Sequence, residues 1–287
     1  MSLDEKLFHE KVMRDLVSII RDPLIIESLG ALSLQKEMCQ AVERFLSGQG
    51  ERLTRMIAPP DPRLPLGKWF ERVFLLALRI TYPFDQVFHS IVVNDGGELD
   101  FLVQHRGRLI HIECSVKYFL FHRGAGTGLS AFIGPGGQDR LDLKLKKMRD
   151  VQLHRAIPDW LGFELPVERV LWMGGRLHFL DESQEGWPIK SPDINAGCLK
   201  GFWSNLERLR GKVAPGNRLV KLPRQWWMTS LEGLSEGLLT VFDEVHRNRD
   251  SGDAMMVAEI DTQGGFAREI RRGFILPTEA HPSTDLR

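Results

Sequence analysis

The residues with the clearest capacity for chemistry lie in one segment, 97–117, with the sequence GELDFLVQHRGRLIHIECSVK. Polar and apolar residues alternate along both halves of the segment, and Arg106-Gly107 stands between the halves, so the pattern predicts a β-hairpin. With the turn centred on those two residues, Asp100 lies directly opposite Glu113. Two facing carboxylates repel each other unless a cation neutralises them, and their oxygens suit Mg²⁺ or Mn²⁺.

This pattern has a simpler explanation, because the polar side of an antiparallel sheet often faces solvent. The preceding segment, 67–80, favours a site instead. It is apolar almost all round, which predicts a buried helix, and it contains Glu71 as a carboxylate that needs a partner. A helix glutamate, a strand aspartate and a strand glutamate, with Lys117 on the polar side of the second strand, are a combination typical of a metal site.

The rest of the chain predicts the elements that must hold these residues in place. Helical spacing of apolar residues over 3–47 predicts two or three helices, and we take 1–57 as an N-terminal helical segment that ends at a proline-rich linker. A domain of mixed helices and strands follows over 66–277, with one helix over 139–155, and 278–287 is predicted to be a frayed tail. The sequence VERVLWMGGRLHFL predicts two short strands.

Composition excludes several classes of protein. The 287 residues include 38 basic and 38 acidic side chains, so no net positive charge attracts a polyanion over a distance. Cys39, Cys114 and Cys198 have neither the CxxC spacing of a zinc site nor the pattern of a disulfide framework. No segment has the apolar pattern of a secretory signal or a membrane span. We therefore expect a cytoplasmic protein that does not enter a membrane.

Two basic groups are candidates for contacts with nucleic-acid phosphates. Arg140, Lys144 and Lys147 are spaced to form one stripe along the predicted helix, although a solvated helix face has the same spacing. Lys221 and Arg224 lie in a basic stretch that also contains tryptophans, which either stack on unpaired bases or belong to the core. Nucleic acid is therefore a predicted partner, and both alternatives stay open.

Five blocks of sequence carry a resemblance to a known family: PLGKWFERVF, GELDFLV, HIECSVKYFL, IGPGGQDRLDLKLKKM and RRGFILP. Together they resemble an uncharacterised bacterial family, the domain of unknown function 1853, which is grouped with the PD-(D/E)XK nuclease superfamily. The resemblance covers 66–277 and implies an α/β (α+β) fold with a restriction-endonuclease-like core. In such a core a mixed central sheet is flanked by helices, and the active centre lies on a βββα unit. The resemblance also implies roles: Glu71 as the helix glutamate, Asp100 as the metal aspartate, Glu113 as the second strand carboxylate and Lys117 as the lysine.

The superfamily places its lysine two positions after the acidic residue, where this chain has Ser115. If the chain is active, we expect hydrolysis of phosphodiester bonds in DNA or RNA, assisted by Mg²⁺ or Mn²⁺ held among Glu71, Asp100 and Glu113. Lys117 would assist the attacking water. Alternatively, the chain is a noncatalytic protein that keeps the nuclease-like scaffold to bind nucleic acid or a protein partner. The Ser115 position and the zero net charge favour this second hypothesis.

Overall fold

The structure is a computed structural model that describes residues 3–26, 28–59, 61, 63–83, 86–93, 96–180, 191–245 and 253–277. Its helices are α1 Leu3–Arg21, α2 Leu29–Gln49, α3 Leu53–Met56, α4 Leu66–Thr81, α5 Leu141–Lys146, α6 Leu206–Arg210 and α7 Glu236–Leu239. Its strands are β1 Val87–Val92, β2 Glu98–His105, β3 Arg108–Phe121, β4 Phe132–Ile133, β5 Val167–Leu180, β6 Lys200–Asn205, β7 Arg218–Lys221, β8 Met255–Asp261 and β9 Arg268–Leu276. The predicted tail, 278–287, lies outside the described residues. None of the helices within these ranges has the length and apolar character needed to cross a bilayer.

The described strands form one mixed sheet. Along the sheet their order is β1-β2-β3-β5-β6-β9-β8-β7, and the short β4 pairs with β3. The pairs β3–β5, β5–β6 and β6–β9 are parallel, whereas the other pairs are antiparallel. The predicted mixed sheet flanked by helices is therefore confirmed. In chain order, β1, β2, β3 and α5 supply three strands and a helix, with a 3-10 turn, Gly128–Ala131, and the short β4 between β3 and α5.

The N-terminal helices pack on one face of the sheet together with α4. Leu16 of α1 and Met38 of α2 are fully buried in the same apolar core as Trp69 of α4 and Ile112 of β3. Each such side chain stabilises the fold by about 1.5–3 kcal/mol relative to its exposed state. The prediction of two or three helices over 3–47 is confirmed, and these helices share their core with the sheet.

The helix α4 is amphipathic, so the prediction that it is buried all round is wrong. On its apolar side, the ring of Phe74 lies 5.3 Å from the ring of Phe101 in β2 and 5.0 Å from the ring of Trp172 in β5. On the other side, Lys68 keeps 53% of its side chain exposed and Arg72 is exposed. The few polar residues of the segment fall on this less buried side of the helix.

The second face of the sheet is covered by α5 and the turns after it. α5 ends at Lys146 and is followed by a π turn, Lys147–Val151, and a 3-10 turn, Gln152–His154. The predicted helix over 139–155 is therefore confirmed as an unbroken helical segment over 141–154, but only its first part is a regular α-helix. A π turn brings residues five apart into line, and this spacing keeps both Met148 and Leu153 buried, which a regular α-helix does not.

The single strand β5 replaces the two short strands that were predicted. Its glycine pair is not a turn: Gly175 has φ +121°, and a Cβ at this position would lie 1.8 Å from the carbonyl oxygen of Lys117 in β3. Glycine is required there because it adopts this φ and lets the two backbones approach each other closely. The strand therefore continues through the pair and stays in register with β3.

Candidate functional site

The predicted hairpin of β2 and β3 is confirmed. The strands pair antiparallel with Phe101 opposite Ile112, which is the register expected for a turn centred on Arg106 and Gly107. These two turn residues have φ values of 48° and 72°, as the tight two-residue turns of β-hairpins require. The turn therefore brings the two strand carboxylates to neighbouring positions.

Glu113 lies inside the protein with 0% of its side chain exposed. Its Oε1 accepts a hydrogen bond from Nε2 of His111 at 3.0 Å, and its Oε2 accepts one from Nε2 of Gln152 at 3.0 Å. The alternative interpretation of this face as solvated is wrong. The turns after α5 place Gln152 over the sheet here, and sequence periodicity along the hairpin could not show that cover.

Asp100 lies beside Glu113, just beyond the last paired residues of β2 and β3. Its Oδ2 accepts a hydrogen bond from the backbone N–H of Cys114 at 2.9 Å, and its own N–H lies 3.4 Å from Oε1 of Glu113. Burial, followed by the negative charge of Glu113, raises the pKa of Asp100 to about 7, although the Cys114 N–H opposes this shift. Asp100 therefore holds its proton to a higher pH than an ordinary aspartate does.

Glu71 approaches this carboxylate pair from α4 but has a partner of its own. Its charge contributes to the raised pKa of Asp100. Nζ of Lys68, one turn earlier in the helix, donates a hydrogen bond to Oε2 of Glu71 at 2.7 Å, and the Glu71 side chain is 26% exposed. The inference that Glu71 is a buried carboxylate in need of a distant partner is therefore wrong, because Lys68 already neutralises it at a half-buried position.

Lys117 is also paired, although not with the strand carboxylates. Its Nζ donates a hydrogen bond to Oδ2 of Asp139 at 2.6 Å, and 25% of the Lys117 side chain is exposed. Asp139 precedes α5 and was not singled out from the sequence. At Gly175, β5 lies so close to the backbone of Lys117 that this backbone is fixed in position. The Lys117–Asp139 ion pair is therefore also held in a fixed position.

Lys144 of α5 lies close enough to Asp100 for the charge of Asp100 to act on it. Burial, followed by the positive charge of Lys117, lowers the pKa of Lys144, whereas the charge of Asp100 raises it. Its ammonium has no hydrogen bond or ion pair with any other residue that the structure describes. A sequence signal for this position existed, since Lys144 lies three residues after Leu141 and four before Met148, and both of these belong to the buried stripe.

The other two members of the predicted basic stripe do not join this site. Arg140 directs Nε and Nη2 to the two carboxylate oxygens of Asp142 at 2.7 and 2.8 Å, so its charge is already matched. Lys147 is exposed on the π turn. The three basic residues therefore separate into a paired one, a site residue and a solvated one.

Lys221 and Arg224 belong to another region of the molecule. Four strands separate β7, which ends at Lys221, from β3 in the sheet order. Arg224 lies over the ring of Trp227 at 5.3 Å, and Trp226 is 7% exposed. For Trp226, the interpretation as a core residue is confirmed, so its ring is not available to stack on a base.

These residues meet some, but not all, of the requirements for binding a divalent cation. Within the described ranges, no three or more His, Cys, Asp or Glu side chains are grouped so that they could hold a metal ion, so the set of Glu71, Asp100 and Glu113 is not assembled as ligands. Two adjacent carboxylates are nevertheless present, and Mg²⁺ commonly binds through one or two carboxylates and keeps several waters. The raised pKa of Asp100 also fits, since a nearby cation would favour the ionised form.

Comparison with known proteins adds one relationship. The profile of a family described as Domain of unknown function (DUF1853) matches residues 14–276. No curated protein and no solved structure matches the chain significantly. The matched range begins within α1, ends at the last residue of β9 and includes the whole carboxylate site. Because the match spans most of the 287 residues, the chain belongs to this family, the domain of unknown function DUF1853.

Proposed function

We propose that this chain is a PD-(D/E)XK-like nuclease that uses Mg²⁺ or Mn²⁺ to hydrolyse phosphodiester bonds in DNA or RNA. The observation that carries the proposal is the adjacent pair of carboxylates, Asp100 and Glu113, with the raised pKa of Asp100. Phosphodiester hydrolysis needs carboxylates to hold a cation and fixed positive charge to neutralise the reacting phosphate. The order of three strands followed by α5, in which these residues lie, also supports the proposal, because it matches the βββα unit that the resemblance implies.

Asp100 is the residue best placed to bind the cation. The Cys114 N–H fixes its Oδ2, and Oδ1 has no hydrogen-bond donor among the described residues. Burial and the neighbouring Glu113 destabilise the ionised form of Asp100. A cation at Oδ1 would stabilise this ionised form. When bound, the cation would polarise the phosphodiester and lower the pKa of a nearby water.

Glu113 supplies a second negative charge whose position is fixed. His111 and Gln152 hold its two oxygens from opposite sides, so the carboxylate cannot rotate away from Asp100 without breaking a buried hydrogen bond. Such support keeps charged groups in place before substrate arrives, which is the main requirement of electrostatic catalysis.

Lys144 is the lysine that we assign to the reacting phosphate. Lys117 is held by Asp139, whereas the ammonium of Lys144 is partly buried and makes no ion pair with a described residue. A positive charge in such a place interacts with a phosphate more strongly than a solvated lysine does. Ser115, which stands where the superfamily has its lysine, donates a hydrogen bond to Sδ of Met148 at 3.4 Å and so lies beneath the segment that carries Lys144.

A noncatalytic role in binding nucleic acid or a protein is the second candidate, and one observation favours it. Both oxygens of Glu113 already accept hydrogen bonds, and 0% of its side chain is exposed. A carboxylate whose two oxygens both accept hydrogen bonds must lose one of these bonds before it can act as a metal ligand. In the second candidate, the hydrogen bonds of Glu113 serve only to hold the turns after α5 on the sheet.

A cleavage assay separates the two functions. Purified protein is incubated with labelled single-stranded DNA, double-stranded DNA and RNA, with Mg²⁺, with Mn²⁺ or with a chelator. We expect metal-dependent cleavage that is lost in Asp100→Asn and falls about a hundredfold in Lys144→Met. The matched control is Lys146→Met, because Lys146 lies on the same helix with 76% of its side chain exposed and pairs with Asp150.

Each outcome of this assay decides something. Cleavage that survives in Asp100→Asn would place the chemistry elsewhere. Equal activity of the Lys144→Met and Lys146→Met variants would remove the role of Lys144. No cleavage of any substrate by the wild-type protein, with nucleic-acid affinity unchanged in Asp100→Asn, would support the noncatalytic function.

A further inference from the structure

A second cluster of charge lies outside the carboxylate site, around a cavity of about 380 Å³. The cavity is bordered by β5, by the start of β6 and by β9. Its charged wall residues are Arg176, Lys200, Glu232, Glu269, Arg271 and Arg272. Four of these side chains are positively charged and two are negatively charged.

Arg272 and Glu269 match each other. Arg272 is 2% exposed, and its Nε and Nη2 donate hydrogen bonds to the two oxygens of Glu269 at 2.7 and 2.6 Å. Its remaining donors reach the carbonyl oxygens of Trp227 and Thr229, each at 2.8 Å. Glu269 also accepts a hydrogen bond from the backbone N–H of Leu231 at 2.8 Å. Both oxygens of Glu269 are therefore occupied, and this carboxylate has no free edge for a second guanidinium.

Arg176 is the wall residue whose charge is not matched in this way. Its Nη1 donates a hydrogen bond to the carbonyl oxygen of Lys200 at 2.8 Å, and the guanidinium makes no other hydrogen bond and no ion pair with a residue that the structure describes. A guanidinium has five N–H donors, and Arg176 uses one of them for this hydrogen bond. Burial, followed by the charge of Arg272, lowers the pKa of Arg176 although Glu269 and Asp22 oppose the shift.

The cavity is separate from the carboxylate site because it opens on the other face of the sheet. Arg176 of β5 lies in register with Tyr118 of β3, whose ring packs against that of Trp227 at 5.6 Å. Lys117 precedes Tyr118, and successive side chains of a strand point to opposite faces. A ligand in the cavity therefore does not contact the residues to which we assign hydrolysis.

We propose that this cavity binds the oxyanion of a small molecule, a phosphate or a carboxylate group, through the open edge of the Arg176 guanidinium. The planar guanidinium presents parallel N–H groups that match two oxygens of either anion. A volume of about 380 Å³ falls in the range of small-molecule pockets.

The test is calorimetric titration of the full chain with inorganic phosphate and, separately, with citrate, at ionic strength held constant with sodium chloride. We expect at least one anion to bind, and the two titrations distinguish phosphate from carboxylate as the preferred group. Arg176→Met should weaken that binding at least tenfold and should not lower the melting temperature in chloride alone, because it removes an unmatched, partly buried charge. The matched control is Arg63→Met, which removes an arginine whose side chain is 95% exposed and should leave binding unchanged.

Arg176→Lys keeps the charge without the planar fork, so it should bind several-fold more weakly than the wild type; if Arg176→Met does not fold, this variant decides the result. The proposal is overturned if neither anion binds at tens of millimolar, or if Arg176→Lys and every folded Arg176→Met sample bind as the wild type does. Displacement of bound phosphate by a short oligonucleotide would assign the cavity to nucleic acid and would also overturn it. Cleavage activity is expected to persist in Arg176→Met, so the proposed nuclease function and this proposal can fail independently.

Discussion

Two buried clusters of charge in this molecule have opposite designs. In the first, Lys11 and Asp15 of α1 form an ion pair with side chains that are 5% and 0% exposed. In the second, Asp100 and Glu113 of the hairpin place two carboxylates side by side. The first cluster joins unlike charges, and the second joins like charges.

The Lys11–Asp15 cluster is saturated with partners. Asp15 accepts hydrogen bonds from Lys11, from Thr229 and from Nε1 of Trp69, the last at 2.7 Å. The ammonium of Lys11 lies 4.9 Å and 5.3 Å from the ring centroids of Trp69 and Trp226. Burial lowers the pKa of Lys11, although the charge of Asp15 opposes this. These contacts tie α1 to α4 and to the turn near Thr229, so this cluster is structural.

The Asp100–Glu113 cluster keeps an electrostatic conflict that a structural cluster would avoid. Its hydrogen bonds fix both carboxylates in place, but they do not supply the missing positive charge. A fold that only needed a filled interior would be more stable with one of these carboxylates replaced. Buried unlike charges with complete hydrogen bonding therefore serve stability, whereas the like charges of Asp100 and Glu113, held together, fit the cation site that we propose.

The largest effect should come from breaking the saturated cluster. Asp15→Ala leaves the ammonium of Lys11 buried without its counter-charge, so we expect the free energy of unfolding to fall by about 3–5 kcal/mol in urea denaturation. The double variant Lys11→Met with Asp15→Leu removes both charges and should recover most of the loss. A loss below about 1 kcal/mol for Asp15→Ala would contradict the structural role of the cluster.

Relieving the conflict should have the opposite sign. The pKa of Asp100 is raised from 3.8 to about 7 in the folded protein, so the folded state holds this proton more tightly than the unfolded state. Wild-type stability should therefore fall as pH rises from about 4 to about 7, and Asp100→Asn should lack this fall. We expect a difference of about 2 kcal/mol, roughly half of the full shift, because the side chain keeps some contact with solvent. If the free energy of unfolding depends on pH in the same way in both proteins, the repulsion between Asp100 and Glu113 does not raise the pKa of Asp100.

A cation should also relieve the conflict. At pH 8, Mn²⁺ or Mg²⁺ at ten times its dissociation constant should stabilise the wild type by about 1.4 kcal/mol, measured as a rise in melting temperature. The rise should disappear in Asp100→Asn. Glu71→Gln is the sharper control, since Glu71 pairs with Lys68 and should not be needed for binding. If Glu71→Gln abolishes the rise as completely as Asp100→Asn does, then Glu71 is a ligand and the two-carboxylate site is wrong.

The smallest effects should distinguish paired from solvated basic residues near the site. Lys147→Gln should weaken nucleic-acid binding and reduce the slope of log affinity against log salt by about 1, as expected for the loss of one phosphate contact. Arg140→Gln should change affinity by about twofold or less, because Asp142 already neutralises Arg140. Titrations over a range of salt concentrations measure both quantities. Equal losses in the two variants would mean that the Arg140–Asp142 pair opens to bind phosphate.

The hairpin could be predicted from the sequence because its register depends on a turn and an alternation within one short segment. The partners of its side chains could not be predicted in this way. Gln152 reaches Glu113 only because a π turn redirects the chain after α5, and Asp139 meets Lys117 across a loop. Both contacts depend on how α5 docks on the sheet, and periodicity along one segment contains no information about docking.

Two errors have physical reasons that the sequence obscured. The glycine pair in β5 was interpreted as a turn, because glycine marks turns and close backbone contacts equally well. Lys144 was predicted to form one stripe with Arg140 and Lys147, although its spacing from Leu141 also places it on the buried side of α5. In both cases one residue type fits two environments, and the tertiary contact decides between them.

The saturated cluster has a consequence for the order of events during synthesis. Asp15 and Thr229 are 214 residues apart, and Lys11 and Thr229 are separated by 218. At about 5–20 residues per second, the ribosome adds the second partner roughly 10 to 40 s after the first. During that interval Lys11 and Asp15 cannot form their hydrogen bonds with Thr229, so the packing of α1 stays incomplete. The first helix to be made is therefore among the last to be secured, and a chain truncated before Thr229 should leave α1 open to protease.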